Sequence, residues 1–342
     1  MRFTRNTGRF FKLLVSGALL LSLCACTRAP EKQERTLFAM DTYIILTAYG
    51  ENASAGLDAA AGTVNAMNAL LEPETEGSAV FRLNHGETVQ NLDIVSMMQT
   101  AKRVYDGTGG ALDLTVYPLV RSWGFIGAEY RVPEEREISA LLENTDFSRV
   151  TVKSAGVSVP EGMALSFGAV AKGYTADRAA EAMEAAGVTS GILSLGGNVR
   201  TVGEKPGGGK WQVAVQDPAD TGASVGTLSL SGETSAVTSG GYQRFFEQDG
   251  VTYHHILDPH TGYPAESGLK GVTVVCEDGA LADALSTALF VLGETEALRL
   301  QSEAGGFEAL LITSDGRIVL TPGLAGCFAP NENSGYTVET AG

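Results

Sequence analysis

The order in which strand-like and helix-like stretches follow one another is what most constrains this chain. "TLFAMDTYIILTAYG" alternates as a half-buried strand does, and "NASAGLDAAAGTVNAMNALLEPE", closed by Pro73, has helical spacing. "LDIVSMMQTAKRVYDGTGG" reads as a second helix ending in a Gly-rich turn, and 134–142 as a third, after Pro133. "AVAKGYTADRAAEAMEAAGVTS" is the clearest helix, stopped by Gly187, and "GALADALSTALFVLG" is an apolar one, followed by a helix at 294–304 and a strand–turn–strand at 307–320. "GILSLGGNVRTVG" and "KWQVAVQDP" read as strands around the turn "EKPGGGK". Strand and helix do not alternate one for one. That excludes a doubly wound sheet and predicts an α+β fold of mixed β-sheets with packed helices.

The first residues are set apart from this body. "MRFTRNTGRFFK" is basic, "LLVSGALLLSL" is apolar and too short for a comfortable span, and "LCAC" follows, the three-part layout of a secretory signal. Ala25 precedes Cys26 and Leu23 stands three before it, which resembles the bacterial lipobox; Cys24 fits less well because bulky Leu23 precedes it. The expectation is a signal peptide at 1–25, a lipidated Cys26, a charged tether at 26–35, one body at 36–330 and a tail at 331–342, placing the protein outside the cytoplasm on a membrane. A signal peptide with ordinary cleavage is the alternative.

Removal of the leader takes Arg2, Arg5, Arg9 and Lys12, so Lys plus Arg falls from 24 to 20 against 40 acidic residues, a net −20. So acidic a body repels phosphate backbones and excludes nucleic acid as a partner. Cys276 and Cys327 then remain, as a pair or as free thiols, and no Cys/His zinc spacing exists.

Four stretches carry chemistry. In "SFGAVAKGYTADRAA", Gly168 and Gly173 flank Lys172 at a helix start, where free N–H groups and an ammonium attract phosphate, although the Walker order is missing. In "EDGALADALSTALFVLG", Asp283 lies three residues before Ser286 and four before Thr287, so the three oxygens share a helix face. Such a set suits a hard cation such as Mg²⁺, or a buried Asp bonding its own helix. "GGALDLTVYPLVRSWGF" offers either an aromatic-lined surface for a planar ring, with Asp113 as an acceptor, or core residues in Trp123 and Phe125. The segment 254–264, "HHILDPHTGYP", holds three of the four histidines between stiffening prolines; strand alternation puts His254 and His255 on opposite faces.

In sequence, "MDTYIILT", "FRLN", "DGTGGALDLTVYPLVRSWGF", "GAVAKGYTADRAAE", "GILSLGGNVRTVG", "AVTSGGYQRFF", "YHHILDPHTGYP" and "ADALSTALFVLG" resemble, in order and wording, the ApbE family of flavin transferases, over about residues 40–293. The resemblance implies the family's fold and Mg²⁺-dependent transfer of FMN from FAD to a Thr or Ser hydroxyl of an extracytoplasmic target flavoprotein, with AMP leaving. It implies a metal held by Ala169, Asp283, Ser286 and Thr287, FAD contacts at Met40, Ala111, Leu112, Asp113, Ser166, Lys172 and Ile256, and catalytic roles for His255, Lys172 and Asp283. Asp258 is expected to orient the histidine loop, His254 to be accessory, and Asp177 to bind substrate or to neutralise helix charge.

Two departures from the family pattern stand out. Ser166 occupies a position where many members carry an acidic residue, and "LLEPETEGSAVFRLN" lacks the aromatic that many place before "RLN". Two rival functions remain open: an FAD pyrophosphatase yielding FMN and AMP, and a non-enzymatic flavin- or solute-binding lipoprotein.

Overall fold

The protein is described here from a computed structural model covering residues 30–342. The expected leader and Cys26 lie outside these residues. The stretch expected as one strand is a hairpin, β1 (Lys32–Ala39) and β2 (Thr42–Tyr49). Met40 and Asp41 turn the chain at φ +52° and +57°, the left-handed pair that matches strand twist in a two-residue loop. No glycine marks this turn, so periodicity alone runs the two strands together.

Helix α1 (Ala53–Leu71) crosses back over the hairpin. Short α2 (Ala79–Asn84) and long α3 (Leu92–Gly107) follow, then α4 (Tyr117–Ser122), α5 (Glu135–Leu142) and the ribbon β3 (Thr151–Lys153) and β4 (Gly156–Ser158). Helix α6 (Ala171–Ala185) leads into β5 (Ser190–Leu195) and β6 (Asn198–Gly203). Next come β7 (Trp211–Gln216), β8 (Ser224–Leu230), β9 (Ser235–Gly240), and the hairpin β10 (Phe245–Gln248) and β11 (Val251–His254). Strand β12 (Leu269–Cys276), α7 (Gly279–Leu292), α8 (Glu294–Ala304), β13 (Glu308–Thr313), β14 (Arg317–Leu320), β15 (Phe328–Pro330) and β16 (Thr337–Thr340) complete the chain.

Nine strands form one sheet in the order β1-β2-β5-β6-β9-β12-β13-β14-β16, antiparallel except for the parallel β14–β16 pair. Helices cover one face. The small sheet β15-β8-β7 covers part of the other, with Trp211, Val213 and Leu228 packed on Ala236, Val275 and Ile312. The α+β expectation therefore holds, as three layers. Lys32 to Arg35, expected in the tether, belong to β1, and 337–340, expected in the tail, form β16. Both are outermost strands with mainly exposed residues, which is why their composition reads as linker.

The helix layer is tightest where α6 crosses α7. A Cβ on Gly173 would overlap the carbonyl of Gly279, and one on Gly279 would stand 2.8 Å from the carbonyl of Gly173. Backbones approach this closely only where neither residue has a side chain. Gly173→Ala should therefore lower stability by about 2–3 kcal/mol in denaturant unfolding. Gly62→Ala, on the exposed side of α1 with nothing within 4 Å of the added methyl, should raise it by about 0.5–1 kcal/mol. Equal unfolding midpoints for the two variants would disprove the close crossing.

Candidate active site

The first turn of α6 is tied to α7. Gly173 N–H, one of the first-turn donors that have no partner within their own helix, donates to Asp283 Oδ2 of α7 at 3.0 Å. The Ala169 carbonyl, just before the N-cap Val170, accepts no backbone N–H among the described residues. The N-cap residue Val170 supplies no capping side chain, and the Lys172 N–H has no backbone partner. Lys172 Nζ stands 3.5 Å from the Gly168 carbonyl. An open helix N-terminus with a lysine in its first turn attracts an anion.

Across the crossing, α7 presents Asp283, Ser286 and Thr287. The structure separates the two hydroxyls. Ser286, fully buried at 0% exposure, donates to the Asp283 carbonyl at 2.9 Å and meets Ser239 Oγ of β9 at 2.8 Å. Its oxygen faces the sheet, so of the expected ligands it is the one turned inward. Thr287 is half-buried and its hydroxyl has one neighbour, Ser239 Oγ at 3.2 Å. Ser239 thus touches both hydroxyls.

The Asp283 carboxylate and Thr287 hydroxyl stand one turn apart on α7, and with the Ala169 carbonyl they are the remaining expected oxygen ligands. One carboxylate with neutral oxygens suits a hard divalent cation that completes its shell with water or phosphate. Among the described residues, no group of three His, Cys, Asp or Glu side chains gathers as a metal site. The set therefore fits Mg²⁺ only with ligand or water oxygens added.

The histidine loop comes within electrostatic reach of Lys172. His255 directs Nδ1 at the Arg244 carbonyl, 3.1 Å away, and its own N–H donates to the same oxygen. A carbonyl demands a donor, so the proton is assigned to Nδ1 and Nε2 keeps its lone pair. Burial first, and then the Arg244 charge, push His255 down to about 3, so the ring is neutral near pH 7. His254 points the other way, edge-on to Phe290 of α7 at 5.4 Å, with Nε2 3.2 Å from the Ala265 carbonyl.

Polar bonds fasten the loop to its neighbours. Asp258 Oδ1 accepts the His260 N–H at 2.9 Å and lies 3.1 Å from its Nδ1, while His260 Nε2 is 3.2 Å from the Gly109 carbonyl. Trp123 Nε1–H donates to the Gly262 carbonyl at 2.9 Å, and Arg244 Nη1 to the Phe125 carbonyl at 3.1 Å. Asp258 organises the loop as expected, but through His260 rather than His255. Sequence reading passed over His260 and Asn84, whose amide closes a reciprocal pair with the Leu165 backbone at 2.8 and 2.9 Å and steadies the segment bearing Ser166.

Other expected contacts lie deeper than anticipated. Trp123 and Phe125 are 0% and 4% exposed and pack with Leu119, Ile138 and Leu257, so the aromatic surface proposed for a planar ring is core. Asp113 does not offer an open carboxylate. It accepts the Thr115 N–H at 2.7 Å, the Thr115 hydroxyl at 2.5 Å and the Phe147 N–H at 2.9 Å, while burial raises its pKa. Ala111, Leu112 and Ile256 are buried apolar side chains. Met40 sits at the left-handed turn, its N–H bound to Asn68 Oδ1 at 2.6 Å, and Ser166 is half-buried upstream of α6. Cys276 and Cys327 are free thiols.

A sequence profile of the ApbE family matches residues 40–311. The chain belongs to the ApbE family. It is 35% identical over 279 residues to an FAD:protein FMN transferase of Klebsiella pneumoniae, covering 79% of this chain and 85% of that protein. An FAD:protein FMN transferase of Treponema pallidum is 33% identical over 276 residues, 75% of this chain and 76% of the relative. The solved ApbE protein of Thermotoga maritima superimposes with a TM-score of 0.78 at 30% identity, over 88% of this chain and 97% of the other. The flavinyl transferase ApbE of Pseudomonas stutzeri gives 0.74 at 28% identity, over 85% and 93%. The α+β architecture is thus that of the ApbE structures.

The buried, neutral His255 makes a checkable demand. Its pKa lies below the ordinary 6.5, so its contribution to stability is complete above about pH 6.5 and is lost as pH falls toward 3. Nitrogen NMR of the ring at pH 5 should show a neutral Nδ1–H imidazole, and His255→Gln should lose less stability than the parent between pH 6.5 and 4. An imidazolium at pH 5 would refute this account.

Proposed function

We propose that this protein is an FAD:protein FMN transferase that uses Mg²⁺ and acts on a Thr or Ser hydroxyl of a target flavoprotein. The observation that supports it most is the Gly173–Asp283 bond, which ties the first turn of α6, with Lys172, to the carboxylate-bearing face of α7. Phosphoryl transfer asks a protein mainly to hold and neutralise phosphate oxygens. Bound Mg²⁺ would supply charge neutralisation at the diphosphate, held by Asp283, Thr287 and the Ala169 carbonyl.

The chain's own groups do the rest. Lys172 and its N–H bind phosphate oxygen. His255 Nε2, held in its tautomer by the Arg244 carbonyl, accepts the hydrogen of the attacking hydroxyl. The new bond joins that oxygen to the FMN phosphorus; the bond to the AMP phosphate breaks, and AMP departs. We further propose that lipid on Cys26 tethers the protein outside the cytoplasmic membrane and that its target is extracytoplasmic. No helix among the described residues is long and apolar enough to cross a membrane.

FAD hydrolysis is the second reading, because water can use the same groups. It is favoured by the loop between α1 and α2, which carries Glu72, Glu74 and Glu76 and no aromatic to fence a flavin. The leaderless protein, incubated with FAD, Mg²⁺ and an acceptor domain, decides between them. AMP with a fluorescent acceptor band means transfer, AMP alone means hydrolysis, and neither rejects both. Asp283→Ala should abolish AMP release. His255→Ala should slow turnover by about a hundredfold or more with FAD affinity nearly unchanged; lost FAD binding would make it an anchor instead.

A further inference from the structure

Helices α6 and α7 carry the same pattern at their crossing. Gly173 precedes Asp177 by one turn, and Gly279 precedes Asp283 by one turn. Each aspartate accepts the N–H of the other helix's glycine: Gly173 N–H to Asp283 Oδ2 at 3.0 Å, and Gly279 N–H to Asp177 Oδ2 at 2.8 Å. Each glycine also abuts the other's backbone carbonyl. Asp177 Oδ2 takes the Ala280 N–H as well, at 3.3 Å. The first N–H groups of α7 are then all accounted for, since Leu281 donates to the Asp278 side chain at 2.9 Å and Ala282 to its carbonyl at 2.9 Å. Arg200 Nε lies 3.5 Å from Asp177 Oδ1, an ion pair without a hydrogen bond.

We propose that Asp177 is a positioning residue for the cation site, the second half of a reciprocal Gly-x₃-Asp clasp that sets where the Asp283 carboxylate stands. This rests on the reading of Asp283 as a metal ligand. Asp283 alone ties α7 to α6 at one point, about which the helix can pivot; Asp177 adds a second point one turn away. With both made, Asp283 and Thr287 are fixed against Ala169 and Lys172. Burial raises Asp177 to about 6, against the Arg200 charge, so the carboxylate is ionised at pH 7 and can accept both N–H groups. Groups that orient metal ligands typically change metal affinity by about 10–100-fold when removed.

Mn²⁺ alone, followed by loss of the free-ion EPR signal, tests the clasp on the leaderless protein, with FAD affinity measured separately without metal. Asp177→Ala should raise the Mn²⁺ Kd by about tenfold and leave FAD affinity in place. Asp177→Asn, which keeps an acceptor oxygen for Gly279, should stay within about threefold of the parent. A purely structural role would lower the melting temperature and leave the Mn²⁺ Kd unmoved. A folded Asp177→Ala with parental Mn²⁺ affinity, or Asp177→Asn as weak as Asp177→Ala, overturns the proposal. If Asp177→Ala does not fold, Asp177→Glu, which shifts the charge by one methylene, carries the same tenfold expectation and the same refutation. A parent protein that binds no Mn²⁺ removes the metal reading itself, and the clasp's proposed role with it.

Discussion

The candidate site depends on the contact between α6 and α7. Two glycines let the backbones touch, and the touching backbones let an aspartate on each helix reach an N–H on the other. Without that proximity Asp283 would be a buried carboxylate among alanines and leucines, and burying an unpaired charge costs several kcal/mol. With it, the carboxylate accepts a backbone N–H that α6 leaves without a partner in its own first turn.

The histidine loop is assembled independently. The β10–β11 hairpin is not part of the nine-stranded sheet, and it and its histidine loop are bonded through Arg244, His260 and Gly262 to Phe125, Gly109 and Trp123 in the segments that follow α3 and α4. These ties place a neutral imidazole within electrostatic reach of Lys172, at the first turn of the helix whose Gly173 is bound to Asp283. The body as a whole is strongly acidic, yet Lys172 and Arg244 are both close enough to His255 to disfavour its charged form. A locally cationic patch in an acidic protein attracts a small phosphate ligand and still rejects a polyanion.

Much of the fold was legible because its signals are local. The helices now numbered α1, α3, α6, α7 and α8 were all expected from spacing, as were the strands β5, β6, β7, β13 and β14. Strands β8, β9 and β12 were not, and β12 is buried on both faces, which leaves no alternation to read. The β1–β2 turn was missed because it is made by Met40 and Asp41 rather than by a glycine. Of the site, Asp283 and Thr287 were legible from their shared helix face and Lys172 from its place at a helix start. Ser286 was not separable from Thr287, since spacing puts both near the same face and only the neighbouring strand shows which one turns inward. For Trp123 the sequence left surface and core both open, and for Asp113 it did not show the bonds already made: a carboxylate and an indole look equally available whether or not backbone N–H groups and core residues consume them.

By itself, the sequence determined the fold class, the family pattern, the acidic body and the identity of the residues that bear charge and hydroxyl groups. Each of these follows from composition or from order along the chain. The tertiary structure alone decided which groups are free. It took a helix crossing to give the Gly173 N–H a partner in Asp283, a β-strand to engage Ser286, and a carbonyl eleven residues away to fix the tautomer of His255. Availability of a polar group depends on whether its hydrogen-bond partners are already supplied, and those partners come from segments far apart in the chain, so no local pattern encodes it.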